Sequence, residues 1–274
     1  MSKKKTPDEG SPELSHARLG RGPPTGDEVR ALLMTLEQQV IPRLIEAHQP
    51  TPGCVERVHA TPHEVEEIAR LAVAQAVRPI ILRLCRMAEE GLSFRSILLQ
   101  VIAPAAQWLG ECWLDDALTF TEVTVGSGVL ERVAVALGED SEPPLRHGAL
   151  IVLTAAPGEQ HALPIHLLGE LLRHEGWAVY VNARLSPHEL ANLLAHEYVA
   201  AVGITCKDPK HLRHVGAIIE DAREDSLNQH IAFYLGGDDR MAPFAPAIGA
   251  EFCATFDDFL EAVGRPGKNV SVSA

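Results

Sequence analysis

The spacing of apolar residues changes about halfway along the chain. In the first half they recur every three or four positions, as at Ile68, Leu71 and Ala72, which is typical of helices with one buried face. In the second half they form short continuous runs, beginning at 148–154, which is typical of strands buried on both faces of a sheet. A polar, proline-containing stretch at 138–147 separates the two patterns and has the composition of a linker.

The first half predicts a bundle of four or five helices. Thr61-Pro62-His63-Glu64 is a capping-box pattern with proline at the first helical position, so a helix should begin there. Pro79 should kink that helix or restart it as a second helix over 79–90. A final helix is predicted over about 118–137. Helices of this length, joined by short connections, favour an antiparallel bundle.

The second half alternates strands with helices. Together with the first half, this alternation predicts an α + α/β fold: a helical bundle that caps a flavodoxin-like, doubly wound parallel sheet of five strands. Ligands of such sheets bind outside the carboxyl ends of the strands. The predicted strands lie at 148–154, 178–181, 199–205, 231–235 and 251–254, and the helices at 161–174, 187–197, 211–224 and 256–263.

The predicted organisation therefore has four parts. Residues 1–26 are rich in Lys, Pro, Gly, Ser and Glu, have almost nothing to bury, and are expected to form a disordered tail. The helical cap is expected at 27–137, the linker at 138–147 and the flavodoxin-like domain at 148–274.

Composition narrows the class of protein. The formal net charge of -13 argues against a free-standing nucleic-acid binder, which would need clustered Lys and Arg, although it permits action through a partner. We find no signal peptide and no apolar stretch long enough for a membrane helix, so we expect a cytoplasmic protein without a membrane partner. Five scattered cysteines without a C-x-x-C pair are expected to be reduced thiols: Cys54, Cys85, Cys112, Cys206 and Cys253.

Candidate chemistry gathers at the predicted carboxyl ends of the strands. His161 follows the first strand, with Glu159 two positions before it, and this carboxylate can accept the second ring N–H of a metal-bound imidazole. Thr205 ends the third strand, and Gly236-Gly237 ends the fourth and leaves room for a bulky ligand. A lone histidine at a strand end is also common as a structural or solvated residue, so spacing alone leaves both interpretations open.

The same residues resemble a known signature. Glu159-Gln160-His161, Thr205 and Leu235-Gly236-Gly237 resemble the D-x-H-x-x-G, S-x-L and G-G motifs of cobalamin-binding domains. The resemblance implies that His161 is the lower axial ligand of cobalt, in place of the nucleotide base. It also implies that Glu159 and Gln160 support that ligand, and that Thr205, Gly236 and Gly237 flank the nucleotide tail.

Three positions depart from that signature. Glu159 replaces Asp, but a glutamate still reaches an imidazole two positions away. Pro164 replaces Gly in the first turn of the following helix, where proline is tolerated. Lys207 stands where the signature has an apolar residue, whereas Thr205 keeps the hydroxyl of the signature serine.

The predicted cap carries a second resemblance. The segment from Leu109 to Trp113 resembles the L-G-x-x-W segment of the helical cap over the upper face of cobalamin. A narrower pattern, W-x-x-D-x-x-x-F-x-x-V-T, is similar to the AerR/PpaA family of photosystem antirepressors in purple bacteria, which is related to the C-terminal sensor domain of AppA. This pattern implies that Trp113 and Phe120 lie against the corrin ring. It is formed by Trp113, Asp116, Phe120, Val123 and Thr124.

Three functions follow from these resemblances. The first is a non-enzymatic, light-responsive transcriptional regulator that binds adenosyl-, methyl- or hydroxocobalamin and acts on a repressor of the CrtJ/PpsR type. Direct contact with DNA stays open for it, because some relatives make such contact. The second is a heme or redox sensor on the same scaffold, with His161 as the axial ligand. The third is a corrinoid carrier protein of a methyltransferase.

Overall fold

The computed structural model describes residues 59–139, 145, 147–159 and 161–265. The predicted tail, the first part of the predicted cap (27–58) and most of the predicted linker lie outside the described residues, as does Gln160. In the part of the chain from residue 59 onwards, four helices precede the sheet: α1 (Pro62–Val73), α2 (Val77–Glu89), α3 (Phe94–Leu114) and α4 (Phe120–Glu139).

The predicted start of α1 is confirmed, and the predicted restart after it was two residues late. The Thr61 side chain accepts a hydrogen bond from the Glu64 backbone, and the Glu64 side chain reaches back to the Thr61 N–H. The break comes before Pro79: Gln75 adopts a left-handed backbone with φ 56° and α2 begins at Val77. Pro79 therefore lies in a first helical turn, where its missing N–H costs nothing.

Helix α3 contains a π-helical segment at Leu98–Ile102. Pro104 follows it and has no N–H to donate to the carbonyl of Gln100, four residues earlier. The Ala103 N–H bonds instead to the Leu98 carbonyl, five residues back, and this wider turn accommodates a proline inside a continuous helix.

Among the described residues, α3 is also the one helix long and apolar enough to cross a membrane, with a mean hydropathy of 1.2. A core helix of a globular domain passes the same test. Leu98, Ile102 and Leu109 of α3 are fully buried in the core formed by the four cap helices.

The second half forms a fully parallel sheet of five strands in the order β2-β1-β3-β4-β5, which confirms the predicted fold class. Every predicted strand and helix is present to within two residues. The strands are β1 (His147–Ala155), β2 (Trp177–Val181), β3 (Val199–Cys206), β4 (Ala232–Gly237) and β5 (Glu251–Cys253), and the helices are α5 (Leu163–His174), α6 (Pro187–His196), α7 (Leu212–Asp225) and α8 (Phe256–Gly264).

The cap and the sheet domain share apolar surface. Leu167 and Leu171 of α5 belong to the buried core of the cap helices, whereas other residues of α5 pack with α8 on one face of the sheet. Helices α6 and α7 cover the opposite face. A polar contact between α4 and α5 joins Glu131 Oε1 to His166 Nε2 at 3.2 Å. The cap therefore lies against α5, beside the sheet.

Candidate functional site

The strand order places a crevice at the carboxyl ends of β1 and β3. The chain leaves β1 towards β2 on one side and returns to β3 on the other, so the loops after β1 and β3 diverge at this point. Ala155, Thr205 and Gly236 lie in register across β1, β3 and β4. Glu159 and His161 lie in the loop after β1, so the described residues among those predicted for the sheet domain are gathered at this edge, hereafter the mouth.

Glu159 connects the two loops that border the mouth. One carboxylate oxygen, Oε1, lies 2.5 Å from His161 Nδ1 and accepts the His161 backbone N–H at 3.2 Å. The other oxygen, Oε2, accepts the backbone N–H of Lys207 at 2.9 Å. The side chain of Glu159 is 5% exposed and that of His161 is 59% exposed. The carboxylate is therefore buried beneath a histidine that faces solvent.

This arrangement determines how His161 presents its ring. Burial raises the pKa of Glu159, but hydrogen bonds from the His161 ring and from the backbone of Lys207 and His161 outweigh it and lower the pKa to about 2. The carboxylate is therefore ionised at neutral pH and accepts a hydrogen bond from the Nδ1–H of His161. Within the described residues Nε2 of His161 has no hydrogen-bond partner, so it is left to bind a metal.

Thr205 lies half-buried between the same two loops. Its backbone carbonyl accepts the N–H of Ala156 at 2.8 Å, which ties the start of the His161 loop to β3. Its hydroxyl makes no hydrogen bond to any described residue. Thr205 thus offers a donor and an acceptor towards the face of the sheet that carries Ala155 and Gly236.

At the end of β4, the fold excludes a side chain at one of the two glycine positions and tolerates one at the other. Gly237 has a φ of 151°, and a Cβ there would lie 2.0 Å from the carbonyl oxygen of Cys206, so the fold itself requires glycine. A Cβ at Gly236 would meet nothing closer than the Cys253 carbonyl oxygen at 3.9 Å. The fold leaves open space beside Gly236, at the level of Thr205.

Trp113 and Phe120 form an exposed pair at the corner between α3 and α4, hereafter the cap corner. Their rings meet edge to face with centroids 6.3 Å apart, and they are 48% and 64% exposed. Large aromatic side chains in the cap would by default be buried. Within the described residues nothing covers this pair.

The cap corner projects past the mouth. Glu131 of α4 meets His166, and further along α4 Gly138 lies against Glu170, so α4 and α5 run in the same direction. Phe120 precedes Glu131 by three helical turns, whereas α5 begins just before His166. At 1.5 Å per residue, the cap corner extends roughly 10 Å beyond the start of α5, on the side of the mouth. No hydrogen bond or ring contact joins it to His161 in the described residues.

Two residues at the mouth, Lys207 and His211, make contacts that were not predicted from the sequence. Lys207 contributes through its backbone N–H, which any residue type could supply. The i, i+3 spacing of His211 and His214 is compatible with zinc, but His211 Nδ1 instead donates a hydrogen bond to the Pro157 carbonyl. The adjacency of the loops after β1 and β3 in the predicted fold class is the one signal that points to such contacts.

The mouth offers a single histidine as a metal ligand, and this suits one kind of metal cofactor. Within the described residues no cluster of three or more His, Cys, Asp or Glu side chains could hold a bare ion. A single imidazole with a fixed tautomer suits a metal whose other ligands come from a macrocycle. Two surface depressions among the described residues lie elsewhere, one on α1 beside Glu66 and one near His147, at the opposite end of β1.

No protein-family model and no curated protein sequence matches the chain. Among solved structures, it is similar to the monomethylamine corrinoid protein of Methanosarcina barkeri, with 14% identity and a TM-score of 0.61 over 74% of this chain and 99% of that one. It is also matched to a cobalamin-binding protein from Desulfitobacterium hafniense, with 13% identity and a TM-score of 0.40 over 72% of this chain and 96% of that one. The first of these likenesses shows a shared fold: a helical part followed by a five-stranded parallel sheet.

Proposed function

We propose that this chain binds cobalamin, with His161 as the lower axial ligand of cobalt. The observation that carries the proposal is the Glu159–His161 pair at the mouth: the carboxylate is buried and ionised, and it holds Nδ1 of a histidine whose side chain is exposed. A corrin ring occupies the four equatorial positions of cobalt, so a single protein ligand is sufficient. When bound, the cofactor supplies an upper ligand that light or a methyl acceptor can remove.

Each remaining site residue has a place in this proposal. Glu159 keeps the imidazole in the tautomer that can bind cobalt and strengthens it as a ligand. Gln160, next to the ligand, is assigned by the signature alone. Thr205, Gly236 and Gly237 would border the nucleotide tail, and the open space beside Gly236 supports this assignment.

The cap supports the same cofactor from above. Trp113 and Phe120 together expose apolar surface at the cap corner, which a corrin ring would cover in this proposal. Burying such surface under a corrin stabilises the complex at about 25 cal/mol per Å². The fold shared with the Methanosarcina corrinoid protein agrees with this arrangement.

We further propose a light-responsive regulator, an antirepressor of the AerR/PpaA type that acts in the cytoplasm on a repressor of the CrtJ/PpsR type. The support is the cap pattern from Trp113 to Thr124, together with the exposed ring pair that Trp113 and Phe120 form. Adenosyl- or methylcobalamin, held by His161, would supply a cobalt–carbon bond that is sensitive to light. The chain's net charge of -13 favours action through a protein over direct action on DNA.

A second candidate is a corrinoid carrier of a methyltransferase. The fold shared with the monomethylamine corrinoid protein favours it, since that likeness covers 99% of the corrinoid protein. In this function the same His161 would hold cobalt while a partner enzyme delivers and removes the methyl group. The two candidates therefore share the site and differ in what acts on the upper ligand.

The experiment compares the wild type with His161→Ala and, as a matched control, His188→Ala, an exposed histidine on α6. Each protein is loaded with hydroxocobalamin, adenosylcobalamin or hemin, passed over a desalting column and recorded by absorption. We expect retained cobalamin with shifted bands in the wild type and control, and loss of that shift in His161→Ala. A Soret band with no retained corrin would replace the proposal with the heme sensor.

The two candidates are separated with the loaded wild type. Illumination of the adenosylcobalamin form should change its spectrum and its affinity for a CrtJ/PpsR-type repressor if the chain is a regulator. Transfer of the methyl group from the methylcobalamin form to a thiol acceptor, with a methyltransferase added, would instead support the carrier.

A further inference from the structure

We propose that His211 is a positioning residue that fixes the loop carrying His161, an inference that rests on the proposed function for its purpose. His211 ends a short 3₁₀ turn, Pro209–His211, that follows β3. It lies 50 residues from the histidine it would position, on the other side of the crevice. Its side chain is not a ligand in this proposal.

The first observation is a hydrogen bond across the crevice. His211 Nδ1 bonds to the carbonyl oxygen of Pro157, and because a carbonyl can only accept, the ring must carry its proton on Nδ1. The residue is 9% exposed, so this bond is shielded from water. Pro157 belongs to the loop between β1 and α5, four residues before His161.

The second observation is how closely the ring fits the loop. Gly158 has a φ of 85°, and a Cβ there would lie 2.7 Å from Cε1 of His211. The imidazole therefore packs directly on the Pro157–Gly158 turn, where a larger residue at 158 would displace it. Position 158 is therefore glycine because of its contact with His211 as well as because of the turn.

Three hydrogen bonds then hold the loop to β3 and the segment after it. Ala156 N–H donates to Thr205, and Lys207 N–H donates to Glu159, at 2.8 and 2.9 Å. Both of these donors are backbone groups, which side-chain substitution leaves in place. His211 supplies the third donor from its side chain, so it is the one whose removal tests the restraint.

The restraint matters because axial ligation depends on position. A loop that is already ordered loses little conformational entropy when His161 binds cobalt. Removing the His211 bond should therefore release the loop and shift bound cobalamin from ligation by His161 towards ligation by its own base or by water. The ligand itself remains chemically intact.

Three variants test this. His211→Leu removes the donor and keeps most of the volume, His211→Asn keeps a donor near the position of Nδ1, and His214→Ala is the control on the exposed side of α7. In the ligand-free full chain, amide exchange of Glu159 and His161 is measured by NMR. We expect exchange about tenfold faster in His211→Leu, and near wild type in His211→Asn and the control.

Ligation is then read from the electron paramagnetic resonance of the cob(II)alamin form, with protein histidine labelled with ¹⁵N. Coupling to ¹⁵N should dominate in the wild type and His211→Asn and give way to ¹⁴N coupling, or none, in His211→Leu. Unchanged loop exchange in a folded His211→Leu overturns the inference, whatever cobalamin does. If exchange is faster in His211→Leu but the wild type binds no cobalamin, the restraint by His211 is supported and the proposed function is rejected.

Discussion

The mouth and the cap corner are built in opposite ways. At the mouth, Glu159 and His211 are buried polar side chains that are already hydrogen-bonded within the protein. At the cap corner, Trp113 and Phe120 contact each other edge to face and expose about half or more of their surface in the described part of the chain.

The difference shows which part of the site is complete before a ligand arrives. Buried polar groups must be paired within the fold, so the geometry around His161 is fixed at folding. Exposed aromatic rings are paired with water and gain free energy when they are covered. The mouth should therefore decide how a metal is bound, and the cap corner how tightly a large apolar ligand is held.

The largest expected effects come from two substitutions in the cap, one in its buried core and one at the cap corner. Leu109→Ala removes a fully buried side chain from the core of the cap and should lower the free energy of unfolding by about 2–5 kcal/mol. Trp113→Ala, four residues along α3, should cost about 1 kcal/mol or less in stability but weaken cobalamin binding about tenfold. Urea unfolding and equilibrium binding measure the two effects. Equal losses of stability would make Trp113 a core residue.

At the mouth, the two glycines of β4 form a matched pair. Gly237→Ala should destabilise the protein by about 2–4 kcal/mol, because its Cβ would overlap the Cys206 carbonyl and its φ disfavours a side chain. Gly236→Ala should change stability by about 0.5 kcal/mol or less and should weaken cobalamin binding. Thermal unfolding and retention of cobalamin distinguish the two. Normal binding by Gly236→Ala would remove that position from the site.

Glu159 predicts a dependence of stability on pH. Its pKa in the folded protein, about 2, lies below the usual 4.5, so its stabilising contribution is present above pH 4.5 and is lost as the pH falls towards 2. Glu159→Gln should cost about 1–3 kcal/mol at pH 7, with a penalty that shrinks as the pH falls. Urea unfolding across this range measures it, with exposed Glu220→Gln as the control. A penalty that does not change with pH would show that packing, and not charge, is lost.

The smallest expected effect concerns the connection between the cap helices and the sheet domain. Arg95 at the start of α3 pairs with Asp257 at the start of α8, and both side chains are partly exposed. A double-mutant cycle with Arg95→Ala and Asp257→Ala should give a coupling energy of about 0.2–1 kcal/mol that 1 M NaCl removes. A larger coupling would mean that this ion pair, more than the α4–α5 core, holds the cap in place.

The local elements of the fold were predictable because their causes lie within a few residues. Thr61 and Glu64 define the start of α1 by bonding to each other's backbone, and the apolar run of β1 identifies a strand buried on both faces. The spacing of Glu159 and His161 likewise allows the hydrogen bond that the structure contains. The restart of α2 was misplaced because the left-handed turn at Gln75 has no glycine or asparagine to mark it.

What the amino-acid sequence alone determined is the fold class, the order of the elements and the position of His161 after the first strand. The tertiary structure decided which distant groups meet: Lys207 with Glu159, 48 residues apart, and His211 with Pro157, 54 residues apart. It also decided that Gly237 is needed by the fold while Gly236 is not. Periodicity and capping record interactions between near neighbours, whereas these contacts exist only because parallel strands bring the loops after β1 and β3 to one edge of the sheet.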